Sequence, residues 1–218
     1  MKKHIWVETY APQTIEDCIL PETLKGEFLN LKEIPNMLLI GRPGVGKTTV
    51  AKVLCQTHEV DSMFMNASME NGIDEVRNKV SQFASTSSLF GGYKVLILDE
   101  ADGLSPEAQK SLRHLIEQYQ SSCRFVLTCN YPYKIIDALR SRLQEFHFTY
   151  PAENRGLQNI FVKRGLEIMM AEKVSLKEKD VPLVMELTKM FYPNWRKCIH
   201  ELQRCCASGS FDEVVVEK

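Results

Sequence analysis

No apolar run in this chain of 218 residues approaches the roughly 20 needed to cross a bilayer. The basic start Met1-Lys2-Lys3-His4 leads into Ile5-Trp6-Val7, but Glu8 follows at once, so no secretory signal core forms. The seven cysteines (Cys18, Cys55, Cys123, Cys129, Cys198, Cys205 and Cys206) contain no C-x-x-C pair. That argues against a structural zinc and predicts reduced thiols in a cytoplasmic protein. Acidic and basic residues nearly balance, 28 against 27. A net charge of −1 excludes nucleic-acid binding through bulk positive charge, so any such contact comes from a local patch or from helix N-termini. There is no internal repeat and no low-complexity tract, whereas 44% apolar residues are ample for a packed core.

What the chain does have is GRPGVGKT at residues 41–48, a full match to the pattern G-x-x-x-x-G-K-[ST]. It follows the apolar run Met37-Leu38-Leu39-Ile40 and precedes a helical stretch at 47–56, the strand–loop–helix context that the motif needs. Gly41, Gly44 and Gly46 let backbone N–H groups turn toward an anion without a β-carbon in the way. Arg42, Pro43, Val45 and Thr49 complete the cradle, and the positive end of the helix dipole faces the same anion. Lys47 reaches β- and γ-phosphates, and the Thr48 hydroxyl ligates Mg²⁺. The expected ligand is a nucleoside triphosphate, ATP, with Mg²⁺.

Five apolar, β-rich runs occupy residues 37–40, 60–66, 94–99, 124–130 and 145–150. Helical patterns separate most of them, which predicts an α/β fold with a parallel sheet. The clearest helix is 105–119: Ser105 offers an N-cap, Pro106 suits the first helical position, and Glu107 faces the dipole. After Pro151 the pattern becomes purely helical, over 153–173, 180–191 and 194–207. The expected organisation is a nucleotide-binding domain over 1–150, a small helical domain over 151–210 and a tail over 211–218.

Val95-Leu96-Ile97-Leu98 is a buried-strand run that delivers Asp99 and Glu100 some fifty residues after the loop. In a phosphate-loop protein Asp99 holds Mg²⁺ through water and Glu100 polarises the attacking water. Asp102 is expected to be a solvated turn residue. Asn130 ends the next apolar strand, where a carboxamide orients water beside a γ-phosphate; before Tyr131-Pro132 it equally well starts a turn. Arg140 and Arg142 lie on an expected short helix at 135–143, and Arg196 follows Asn194 at an expected helix start. Each of these arginines is a candidate phosphate contact, but on the residues alone an ordinary surface ion pair is the favoured reading of each.

Together these residues resemble an AAA+ ATPase of the sliding-clamp-loader family. WVETYAP at 6–12 resembles W-V-E-K-Y-R-P, and NASMENGIDEVRNKV at 66–80 resembles N-A-S-D-x-R-G-I-D-x-V-R-N-K-I. AQKSLRHLIEQY at 108–119 resembles A-Q-x-A-L-R-R-x-M-E-x-Y, and SRL at 141–143 resembles S-R-C. TIEDCILP at 14–21 is most similar to the ATPase subunit of T-even-type phage clamp loaders, and the replication factor C small subunits are similar as well. The resemblance runs from about Ile5 to Cys205.

It implies a five-stranded parallel sheet, a helical lid, and roles that spacing alone does not supply. Asn130 becomes the first sensor, Arg142 an arginine finger acting on the neighbouring subunit's ATP, and Arg196 the second sensor. Val7, Glu8, Thr9, Tyr10 and Ile19 line the adenine pocket. Gln109 couples DNA contact to the ATP site, Arg77 and more weakly Lys79 face template phosphates, and Phe83, Leu89 and Phe90 are candidate clamp anchors or ordinary core. The implied partners are a sliding clamp, other clamp-loader subunits in a homo- or hetero-oligomeric spiral of five, and primer–template DNA, with no membrane; the implied place is the cytoplasm, of the host if phage-encoded. Hydrolysis during replication would release the clamp closed around DNA.

Some positions depart from the family pattern. Thr9 and Ala11 replace Lys and Arg, Met69 and Asn71 interrupt the D-x-R pattern, and Leu143 replaces the Cys of S-R-C. The chain stops about where a collar domain is expected. Three alternatives stay open: a helicase loader, a peptide-threading remodeller with residues 90–93 as pore loop, and a nucleotide-binding subunit inactive alone.

Overall fold

The computed structural model describes residues 5–68, 73–88 and 91–211. Its helices are α1 (Trp6–Thr9), α2 (Glu22–Leu29), α3 (Lys47–Thr57), α4 (Ile73–Ser85), α5 (Pro106–Gln118), α6 (Asp137–Arg140), α7 (Arg155–Ala171), α8 (Asp180–Phe191) and α9 (Trp195–Cys205). The strands are β1 (Met37–Gly41), β2 (Ser62–Asn66), β3 (Lys94–Asp99), β4 (Cys123–Cys129) and β5 (Gln144–Phe148). Two compact units result: residues 22–42 with 47–148, and residues 1–21, 43–46 and 149–218. Among the described residues no helix is long and apolar enough to cross a membrane.

The first unit is built on one sheet in the order β2-β3-β4-β1-β5. Every neighbouring pair is parallel, so each strand needs a crossover connection and both faces of the sheet are covered. Alternation sorts the side chains. Leu38 and Ile40 of β1, Leu96 and Leu98 of β3, and Phe125 and Leu127 of β4 point into a core with Val76 and Val80 of α4 and Leu112, Leu115 and Ile116 of α5. Elsewhere in this unit Phe28 of α2 stacks on Phe146 of β5 at 5.0 Å. Helix α5 starts as its sequence requires: the Ser105 hydroxyl accepts from the Ala108 amide at 3.2 Å, with Pro106 in the first turn.

The second unit is helical. Trp6 of α1, Phe161 of α7, Val184 of α8, and Trp195 and Leu202 of α9 share one apolar cluster. Phe161 and Trp195 stack with centroids 5.4 Å apart. Asn154 caps α7 and Asn194 caps α9, each through its side-chain oxygen at 3.0 Å from the amide three residues on. The segment expected to belong with the sheet, residues 5–21, packs here instead: Trp6 is buried in the helical core and its amide donates to Gln203 Oε1 at 3.1 Å.

Several expected boundaries shift for identifiable reasons. Strand β5 ends at Phe148 rather than at residue 150, because its partner β1 ends at Gly41, opposite Phe148. Strand β2 starts at Ser62 and β4 runs from Cys123 to Cys129, one residue earlier than expected. The expected helix at 135–143 shrinks to the four residues of α6, since Ile136 is extended and gives its amide to Gln109. All seven cysteines are buried and unbridged. Burial pushes the Cys55, Cys129, Cys198 and Cys206 thiols up to about 12. They remain neutral and are poor nucleophiles.

Candidate functional site

The chemistry-bearing residues of the sheet unit converge at the carboxyl ends of β1, β3 and β4, where open α/β sheets bind ligands. Lys47 is the first residue of α3 and is only 7% exposed. Its ammonium donates to the Gly41 carbonyl at 2.7 Å, the Arg42 carbonyl at 3.0 Å and Asn130 Oδ1 at 2.9 Å. A buried cation is tolerated because oxygens surround it, and the arrangement aims Lys47 and Asn130 at the same point. The Asn130 carboxamide therefore lies beside Lys47 of the phosphate-loop motif.

One residue further along α3, the Thr48 hydroxyl donates to Asp99 Oδ1 at 2.6 Å. The same oxygen accepts from the Thr128 hydroxyl at 2.7 Å, and Thr128 Oγ1 in turn accepts the Glu100 amide at 3.0 Å. Thr128, 1% exposed, thus ties Asp99 to Glu100 and was not singled out from the sequence. Its one signal was a hydroxyl inside an otherwise apolar strand. Glu100 sits in the left-handed region at φ 56, ψ 44, a conformation costing a non-glycine residue on the order of 1 kcal/mol. Its carboxylate accepts from the Ser68 hydroxyl at 2.6 Å. Strain held by two hydroxyl contacts at the end of a strand is characteristic of a functional position. The hard oxygens of Thr48 and Asp99, side by side, are the donor type that suits Mg²⁺ bound together with phosphates.

Asp102 is not the solvated turn residue expected. Its Oδ2 accepts the Asn130 and Tyr131 amides at 3.3 and 3.1 Å, so it supports the loop that carries Asn130. Gln109, 1% exposed, ties the next segment in place. Its Nε2 donates to the carbonyls of Leu104 (3.2 Å) and Lys134 (2.9 Å), and its Oε1 accepts the Ile136 amide at 2.9 Å. Gln109→Leu strands these three backbone groups and is expected to lower stability by on the order of 3 kcal/mol, read as a fall in the urea midpoint.

The arginines occupy the other edge of the sheet. Gln144, which opens β5, pairs with Met37, which opens β1. Arg142 therefore lies beyond the amino ends of the strands, whereas Asp99 and Asn130 lie at their carboxyl ends. The five-residue β1 separates these edges by roughly 16 Å. Arg142 pairs with Glu117 of α5 and donates to the Ala138 carbonyl at 2.8 Å. Its guanidinium holds the Glu117 carboxyl below the usual range. Arg140 donates to Glu145 at 2.8 Å. On α4, Arg77 and Lys79 are exposed. Phe83 packs against the sheet core with the Lys94 ammonium 4.8 Å from its ring centroid, which is the core reading of that residue. Met69, Asn71, Leu89 and Phe90 lie outside the described residues.

Arg42, the last loop residue of the sheet unit, is exposed; in the helical unit Pro43 is exposed, Val45 is buried, and Gly44 and Gly46 take φ of +78° and +100°, which only glycine adopts freely. The Arg196 amide donates to the Gly44 carbonyl at 3.3 Å, which brings the first turn of α9 against the loop, with the Arg196 side chain exposed. Tyr10 and Ile19 pack against the helical core, and the Tyr10 hydroxyl donates to Glu172 at 2.6 Å, a bond that pushes its phenol up to about 12. Val7 and Thr49 are half-buried, while Glu8 and Thr9 are exposed, the Thr9 hydroxyl bonding the Ile5 carbonyl.

A parallel sheet whose first strand runs into a glycine-bearing loop, a buried lysine and an acidic strand end defines a nucleotide-binding phosphate-loop domain. Residues 37–150 match the family described as ATPase family associated with various cellular activities (AAA). The replication factor C small subunit of Archaeoglobus fulgidus is 37% identical over 215 residues, 94% of this chain and 65% of the relative. The sliding-clamp-loader large subunit of Enterobacteria phage T4 is 37% identical over 219 residues, 97% of this chain and 67% of the relative. Replication factor C subunit 5 of Homo sapiens is 38% identical over 193 residues, 84% of this chain and 55% of the relative. The chain belongs to the AAA family and, within it, to the clamp-loader subunits. It spans 65% of the length of its archaeal relative. The RuvB Holliday-junction branch-migration motor of Thermotoga maritima shares the fold with a TM-score of 0.72 over 95% of this chain and 70% of that one, at 18% identity.

Proposed function

We propose that this chain is an ATP-hydrolysing subunit of a sliding-clamp loader, using ATP with Mg²⁺ to place a clamp on primer–template DNA during replication. The observation that carries the chemistry is the junction of Lys47 with Asn130 and of Thr48 with Asp99, Thr128 and Glu100. Lys47 contacts the β- and γ-phosphates. Thr48 and Asp99 hold Mg²⁺, which neutralises charge on the phosphates when bound. Asn130 orients the attacking water and Glu100 takes its proton. Arg196 adds a second phosphate contact, and Val7–Tyr10 with Ile19 line the base.

Arg142 acts on the nucleotide of a neighbouring subunit. The separation of sheet edges supports this, because a side chain at the amino ends of the strands does not reach Asp99 of its own chain. Hydrolysis thus depends on assembly into a spiral of subunits, five in the arrangement we favour. Exposed Arg77 and Lys79 of α4 offer template phosphates a local cationic contact that a net charge of −1 does not provide. The sequence similarity to proteins named as clamp-loader subunits favours a clamp over a helicase as the object loaded.

The test is phosphate release by the chain with its partner subunits, clamp and primer–template DNA. Primed DNA plus clamp is expected to raise turnover, and Lys47→Ala to abolish both ATP binding in a calorimetric titration and turnover. Turnover indifferent to clamp and primed DNA, or unchanged in Lys47→Ala, would overturn the reading.

A further inference from the structure

A trans peptide points its C=O and the following N–H in opposite directions. Whatever binds the carbonyls of a phosphate loop therefore decides where its amides face. In the helical unit two successive loop carbonyls are bound. The Gly44 carbonyl accepts the Arg196 amide at 3.3 Å, and the Val45 carbonyl lies 3.1 Å from the Tyr150 hydroxyl. The amides of Val45 and Gly46 accordingly turn away from α9 and Tyr150, free to meet an anion.

The position of Gly44 is set by shape as well. Its φ is +78°, and a β-carbon built there would lie 1.9 Å from Asn194 Oδ1. The Asn194 carboxamide thus fills the space over the Gly44 α-carbon. It cannot easily withdraw, because the same oxygen caps α9 through the Lys197 amide at 3.0 Å. Tyr150 is equally constrained. Its ring meets those of Tyr192 and Trp195 edge-on, with centroids 6.1 and 6.0 Å apart. Burial pushes its phenol pKa upward, so the hydroxyl keeps its proton. That single proton faces two acceptors, the Val45 carbonyl and the Ile19 carbonyl, both at 3.1 Å.

We propose that Tyr150 and Asn194 are positioning residues for nucleotide binding: they hold the phosphate loop with its amides outward, and the Tyr150 hydroxyl joins that loop to the segment at Ile19. Neither residue touches the nucleotide. The inference rests on the reading of the loop as an ATP site and adds residues that the loop motif does not contain.

Tyr150→Phe deletes one oxygen and leaves the aromatic packing. Titrating the full chain calorimetrically with Mg²⁺-ATP and with inorganic tripolyphosphate should show both bound three- to tenfold more weakly, the worth of one neutral hydrogen bond. The unliganded variant should melt a few degrees lower, as loss of one hydrogen bond requires, yet the weaker binding should persist well below that transition, where both proteins are fully folded, a combination that a purely structural role would not give. A second arm uses Gly44→Ala, expected to weaken both ligands more than tenfold, and the double variant Gly44→Ala with Asn194→Gly. Glycine is a tolerable N-cap, so removing the obstructing carboxamide should recover part of the loss. Wild-type affinity in Tyr150→Phe, or a double variant no better than Gly44→Ala, overturns the proposal. If Lys47→Ala still abolishes binding in that case, the ATP reading stands; if the wild-type chain binds neither ligand, both fail.

Discussion

Replacing Arg142 by alanine is expected to lower clamp- and DNA-dependent phosphate release by the assembled complex about 10³–10⁵-fold, the worth of an arginine finger. The isolated chain should bind ATP as before, because Arg142 precedes β5 at the amino edge of the sheet while Lys47, Asp99 and Asn130 sit at the other edge. The two results must come apart in this way. In a single protomer the guanidinium is engaged by Glu117 and the Ala138 carbonyl, so alanine removes an exposed ion pair, which contributes little to stability. Folding is therefore not the cause of the lost turnover. Mixing experiments sharpen the test: inactive Arg142→Ala subunits should silence the site of their neighbour and leave their own intact. Turnover within a few-fold of wild type in a complex made entirely of the variant would refute action in trans.

Glu100→Gln is the second large effect. A general base contributes typically 10²–10⁴-fold, and single-turnover hydrolysis should fall by that amount while ATP affinity is retained. The substitution is conservative by geometry: a carboxamide oxygen still accepts the Ser68 hydroxyl, and the Glu100 amide keeps its bond to Thr128. The left-handed backbone at residue 100 is the same for both side chains. The expected product is a complex that holds ATP and stays closed on its clamp, detectable as co-elution of clamp and loader. Wild-type hydrolysis would remove Glu100 as the base. Loss of ATP binding would instead give it a structural role.

Much of this was legible along the chain. GRPGVGKT after an apolar run, and the run ending in Asp99-Glu100, are contiguous signals whose meaning depends on a few neighbours. Helix starts at Ser105, Asn154 and Asn194 follow the same logic, because a cap is a contact across three residues. The less local features were harder to read. The 135–143 segment carries a helical pattern, yet Gln109 from α5 takes the Ile136 amide and leaves only α6. Asp102 looked like a turn residue until β4 brought the Asn130 and Tyr131 amides to it. Thr128 showed only as a hydroxyl among apolar neighbours, since its bond to Asp99 forms only when β3 and β4 lie side by side. The start of the chain resembled part of the sheet domain but carries Trp6, which fills the helical core.

By itself the sequence determined the parallel α/β class, the phosphate loop, the acidic strand end and the change to helices after Pro151. Each is encoded in side-chain period or in residues adjacent along the backbone. The tertiary structure alone decided which hydroxyls brace Asp99 and Glu100, on which sheet edge Arg142 lies, and how Tyr150 and Asn194 hold a loop about a hundred or more residues away. Those pairings depend on strand order and on packing between distant segments, and no local pattern of residues carries that information.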